Sequence, residues 1–197
     1  MNTLTKPVSL KSDQQPTNTW LAVSCVIAAL ISSIGKGVWE LADPVLASSE
    51  AFAAAPPGRR WVYGVLELMK SVGFMAGLVA LYRIGTRRGK VTTVFVWIAA
   101  AGSVFFAGVW LMMAVTSELT VVYVLGGMWY QMVVPVVLGI AALQAHRIQR
   151  WVAIYAIIVG VANSQIFTLL GSARALIVQG VLWLLLGCAI WFAEDRG

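Results

Sequence analysis

From Trp20 onward the chain alternates long apolar runs with short polar breaks. Six runs, near residues 20–42, 61–82, 91–115, 119–143, 151–170 and 175–193, reach the length of about 20 helical residues that crosses a hydrocarbon core of about 30 Å. The pattern predicts an all-α polytopic membrane protein, six transmembrane helices in an antiparallel bundle. Residues 1–19, polar and carrying Pro7 and Pro16 without an apolar period, read as a disordered tail. Residues 194–197 form a short C-terminus. "AFAAAPP" after the first run resembles a cleavage site, but that run exceeds an h-region of about 7–15 residues and contains Lys36 and Glu40, so the first helix is expected to remain.

The breaks set the orientation. Lys6, Lys11, Arg83, Arg87, Arg88, Lys90, Arg147, Arg150 and Arg196 fall on one side, and only Arg59, Arg60 and Arg174 on the other. The richer side is cytoplasmic by the positive-inside rule, which puts both termini inside. The single long connection, "DPVLASSEAFAAAPPGRR" at 43–60, carries a capping Ser48 or Ser49 before a short Ala-rich interfacial helix that Pro56-Pro57-Gly58 would end. It serves as a connector or as a lid. The turns around Ser117-Glu118 and Gly171-Ser172 are tight, as between neighbouring helices. The second and fourth runs share a faint echo, "WVYGVLELMK" against "VVYVLGGMWYQ", whose spacing slips before the basic loops beyond them.

Composition agrees with the pattern. Hydrophobic residues make up 60% of the 197 and charged residues 11%, against about 25% charged in soluble domains, and the mean hydropathy is +0.84. The net charge of +6 is accounted for by the basic loops, so no nucleic-acid partner is expected, although "RIGTRRGK" suits anionic headgroups. Cys25 and Cys188 lie in apolar runs and are expected to pack as free thiols. His146 is the lone histidine; neither a bis-histidine haem site nor a zinc cluster has its ligands, and no cofactor is expected. Trp39, Trp61, Trp110, Trp151 and Trp191 near helix ends read as interfacial anchors.

Candidate chemistry lies in the polar residues inside the runs. With a rise of about 1.5 Å per residue, Lys36 and Glu67 both fall about 9 Å below the outer ends of the first two helices, and Lys70 lies deeper. A Lys36–Glu67 bridge across the first hairpin would keep both ionised. Lys36 to Glu40 is i,i+4 and Glu67 to Lys70 is i,i+3, so the four charges fit one ladder, with Glu40 close enough to the end to reach water and Lys70 the deepest and least obviously paired. Trp129, Tyr130 and Gln131, with Tyr123, fall at similar depth on the fourth helix, Asn163, Ser164 and Gln165 on the fifth, and Gln179 on the sixth. Pro135 frees a backbone carbonyl near Gln131. Gly73-xxx-Gly77 suits close helix contact in the more apolar half.

Ionisable residues at depth mark substrate or proton paths, or act as glue between helices. The reading chosen is binding or transport of a small amphiphilic molecule through an outward-opening polar pocket formed by Lys36, Glu67, Lys70, Trp129, Tyr130, Gln131, Asn163, Gln165 and Gln179, in a bacterial cytoplasmic membrane. Membrane lipids are the expected surroundings. Two alternatives stand beside it: a non-catalytic subunit or assembly factor, with a second copy or another membrane subunit as partner, and a membrane enzyme on a lipid or isoprenoid with Glu67 as general acid or base. The enzyme lacks metal ligands, a nucleophile–base pair and a second deep carboxylate.

Overall fold

The computed structural model describes residues 15–86, 89–118, 121–170 and 172–194, with the side chains of 15–17, 121–128, 164–169, 172 and 194 outside that description. These residues are helical throughout, apart from the short connections. The first apolar run forms α1 (Gln15–Ala28), a π-helical stretch (Ala29–Gly35) and α2 (Lys36–Ala42) in one continuous rod. The short helix α3 (Ser49–Ala54) comes next, then α4 (Pro57–Gly85), α5 (Lys90–Thr116), α6 (Val121–Ala145), α7 (Arg150–Leu170) and α8 (Ser172–Glu194).

Local chemistry explains the boundaries. Ser48 caps α3, its Oγ accepting from the Ala51 N–H at 3.1 Å, and Glu50 sits in the first turn. Hydrogen bonds from its own backbone and from Ser48 hold the Glu50 carboxyl below the usual range. The Pro-Pro-Gly triplet is split: Pro56 ends the preceding segment in an extended conformation, while Pro57 opens α4 with Gly58 inside it. A proline ring is pre-organised for the first helical position, where its missing N–H costs nothing. The second long helix therefore begins earlier than the apolar pattern predicts. α5 ends at Ser117, in the left-handed region at φ 65°, and the Ser117 N–H bonds Met113 O.

Each long helix packs against the next in the chain, and α8 returns to α1, the π stretch and α2. α4 also touches α6 and α8, which makes it the central element. Small residues allow the close seams. A Cβ added at Gly73 would collide with Ala28 and lie 2.8 Å from Ser24 O, and one at Gly77 would lie 2.7 Å from Cys25 Sγ. The Gly73-xxx-Gly77 face is thus where α4 meets α1. Gly180 of α8 does the same against the π stretch, 3.0 Å from Ala29 O. Cys25 and Cys188 are free thiols.

Within an apolar core the bundle buries ionisable and amide side chains, and it turns large apolar ones outward. Val72, Trp97, Val104, Phe105, Val115 and Phe192 are exposed on its surface, while Lys36, Glu67, Lys70, Gln131, Asn163 and Gln179 are buried. A water-soluble domain shows the reverse. Four segments, Asn18–Ala42, Pro57–Gly85, Lys90–Thr116 and Ala173–Ala193, are long and apolar enough to cross a membrane. Trp129–Ala145 and Arg150–Asn163 are shorter apolar stretches within what is described of α6 and α7.

Candidate functional site

The charges meet on α4. Glu67 sits midway between two ammonium groups: Lys36 bonds its Oε1, and Lys70, one helical turn along, lies 2.5 Å from its Oε2. All three are about 1% exposed. Lys36 arrives there directly after the π-helical stretch. Such wide turns rotate the facing of the residues beyond them and recur at functional sites. That stretch is pinned to α8 by Ser33, whose Oγ donates to Leu176 O at 2.8 Å.

An aromatic shell takes up the remaining faces of the cations. Lys36 Nζ stands 4.3 Å from the Trp110 ring centroid and 4.8 Å from that of Tyr63, and Lys70 Nζ 5.4 Å from that of Phe106. Cation–π contacts of this kind contribute about 2 kcal/mol when desolvated. Trp110, expected as an interfacial anchor, is 3% exposed instead. Phe52 of α3 packs edge-on to it at 6.4 Å.

Glu40 is also enclosed rather than open to water. Its Oε2 accepts from the Tyr63 hydroxyl at 2.5 Å and its Oε1 from the Leu46 N–H, so the loop before α3 folds over it. Arg59 closes this cover by pairing with Asp43 and lying over Trp39, and Arg60 donates to Ala53 O and Ala55 O at 2.9 and 2.8 Å. Both arginines hold the 43–55 segment down. The four charges are therefore sealed in this conformation and do not line an opening.

The second group is an amide network around α6. Pro135 leaves the Gln131 carbonyl without its helical partner, and Asn163 Nδ2 of α7 fills that place at 3.1 Å. Gln131 Oε1 accepts from Gln179 Nε2 of α8 at 2.8 Å, and its Nε2 donates to the Tyr130 hydroxyl at 3.0 Å. α6, which carries these amides, also packs against α4, which carries Glu67 and Lys70. Asn163 Oδ1, Gln179 Oε1 and the Trp110 and Trp183 Nε1 groups are buried without a hydrogen-bond partner among the described residues.

The structure thus gathers Lys36, Glu67, Lys70, Tyr130, Gln131, Asn163 and Gln179. Trp129 departs from the expectation: it is 41% exposed beside the fully buried Tyr130, because adjacent helical positions face about 100° apart. The side chains of Tyr123, Ser164 and Gln165 lie outside the described residues. Tyr63, Trp110, Phe106 and Phe52 join the site without having been expected there. Only helical spacing hints at them, Tyr63 to Glu67 and Phe106 to Trp110 each being i,i+4. Among the described residues no group of three or more His, Cys, Asp or Glu side chains is gathered to hold a metal.

The fold and its inverted polarity define the class: an all-helical protein with helices fit to cross a membrane. Comparison with family models, curated proteins and solved structures gave no match to this chain.

Proposed function

We propose that the protein crosses the cytoplasmic membrane of a bacterium six times with both termini inside, and that it binds or transports a small amphiphilic molecule at the Lys36–Glu67–Lys70 cluster. One observation carries the reading: three ionisable groups and an amide network with unspent hydrogen-bonding capacity occupy the middle of an otherwise apolar bundle. Groups of this kind are expensive there and tend to mark ligand or ion paths. The cover made by 43–55 would then be the gate, since Phe52, Trp110 and Lys36 lie in contact in series from cover to charge.

The sealing itself favours a second reading. A closed, fully enclosed ion cluster also suits a scaffold subunit in which the charges hold helices together. Mass spectrometry of small molecules retained by the gently purified protein separates the two. A specific molecule held by wild type and lost from folded Lys70→Met supports the site. If nothing specific is retained while an equimolar membrane partner co-purifies, the subunit reading replaces it.

A further inference from the structure

Two connections at one end of the bundle concentrate its positive charge. Segments 83–90 and 146–150 together hold six Arg or Lys residues and no Asp or Glu. The acids nearest to 83–90 in the chain are Glu67, buried within α4, and Glu118, beyond the far end of α5. Asp13, Glu194 and Asp195, which share this end by chain order, belong to the terminal segments. Arg83, Lys90, Arg147 and Arg150 are exposed.

The two connections are far apart in sequence but held together in the fold. Arg147 Nη1 donates to Thr86 O at 3.4 Å. Ile148 packs into the notch at Gly85, where an added Cβ would lie 3.0 Å from Ile148 Cδ1. The Tyr82 hydroxyl and Thr93 Oγ1, 2.8 Å apart, tie the end of α4 to the start of α5. Past the cations the exposed surface turns apolar. On α5, Val94 and Trp97 follow Lys90 at i+4 and i+7 and are 52% and 72% exposed. On α7, Ile154 and Ile158 follow Arg150 at i+4 and i+8 and are 47% and 48% exposed. Residues at these spacings share one helix face.

We propose that the joined connections are a docking surface for anionic phospholipids. Headgroup phosphates would sit at Lys90 and Arg150, with Arg83 and Arg147 at the same end of the bundle, and acyl chains would lie along Val94–Trp97 and Ile154–Ile158. A cation followed by an apolar strip on one helix face matches a molecule that carries a phosphate above hydrocarbon chains. A nucleic acid or an acidic soluble protein would leave that strip uncovered. Each Lys or Arg at a membrane surface strengthens attachment of anionic lipid by about fivefold. The proposal is independent of the ligand reading for Lys36, Glu67 and Lys70, which lie nearer the opposite end of α4.

The test places the full chain in nanodiscs of phosphatidylcholine mixed with an equal part of phosphatidylglycerol. Native mass spectrometry of the released protein counts the lipids of each kind that stay attached, and thermal unfolding compares the mixed nanodiscs with phosphatidylcholine alone. Phosphatidylglycerol is expected to be retained at least about tenfold over phosphatidylcholine, as two surface cations readily provide. It should also raise Tm, because it binds the folded bundle, and that gain should shrink when salt is raised to about 1 M. Lys90→Gln combined with Arg150→Gln should lower the preference by at least about fivefold, whereas Lys90→Arg with Arg150→Lys should keep it. Arg174→Gln, at the start of α8 and the opposite end of the bundle, should leave it unchanged. Equal retention of the two lipids, or a preference unmoved by the double Gln variant, overturns the proposal. So does a preference that Arg174→Gln lowers equally, since it would then follow net charge and not the joined connections. Saturable binding of a short oligonucleotide or an acidic peptide without any lipid preference would give the surface to a soluble polyanion and overturn the lipid assignment. If the double Gln variant does not fold, the lipid and salt comparisons on the unaltered protein and on Arg174→Gln decide.

Discussion

Glu67 is the residue on which the network turns, because it is the common partner of two cations. Removing its charge leaves Lys36 and Lys70 facing each other, whereas removing either lysine leaves one balanced pair. Glu67→Gln is therefore expected to destabilise by about 3–5 kcal/mol, as breaking a buried pair does, and Lys36→Met by a smaller amount. Thermal unfolding in nanodiscs without added amphiphile orders the variants; equal losses would contradict a shared carboxylate. Asn163 acts on a single carbonyl, and Asn163→Leu should cost about 1 kcal/mol, the usual scale of interhelical hydrogen bonds in membranes. Pairing Asn163→Leu with Pro135→Ala should reduce that loss, since the restored helical N–H then satisfies Gln131 O.

At the scale of elements, the short helix α3 and the Gly73 seam carry opposite expectations. Phe52 is fully buried against Trp110 although it belongs to the short connecting helix α3. Phe52→Ala should free the 43–55 cover without unfolding the bundle, seen as faster amide exchange at Leu46 while the exchange of α4 is unchanged. Gly73→Leu, by contrast, would push α4 off α1 and should prevent a stable fold; retention of wild-type Tm would show that the seam is not close. Much of the charge cluster was legible because equal depth and i,i+3 spacing are properties of a sequence. Equal depth gave the Lys36–Glu67 pair and i,i+3 spacing brought Lys70 beside Glu67, although Lys70 was the least obviously paired of the four; Pro135 marked the freed carbonyl, but not Asn163 as its donor. The aromatic shell was not, because Trp110 and Trp129 differ only in which way their helices are rotated. The enclosure of Glu40 depends on Leu46 folding back over a helix end, and the π stretch before Lys36 has no period of its own in an apolar run.

For the whole molecule, the order of polarity is the central fact: apolar outside, charges within, carried largely by α4, which packs against the amide-bearing α6. The orientation proposed from the basic loops has a direct check in a background lacking Cys25 and Cys188. A cysteine at Ser49 should react with a membrane-impermeant maleimide from outside intact cells, and one at Lys90 only after permeabilisation; the reverse would invert the topology. The sealed cluster itself is tested most directly by solid-state NMR of the protein in bilayers, correlating lysine Nζ with glutamate carboxyl carbons. A shared Glu67 is expected to give two Nζ correlations to one carboxyl, one lost in Lys36→Met, the other in Lys70→Met, and both in Glu67→Gln. A single lysine correlated with that carboxyl, or none, would contradict the shared carboxylate on which both the site and its ligand rest.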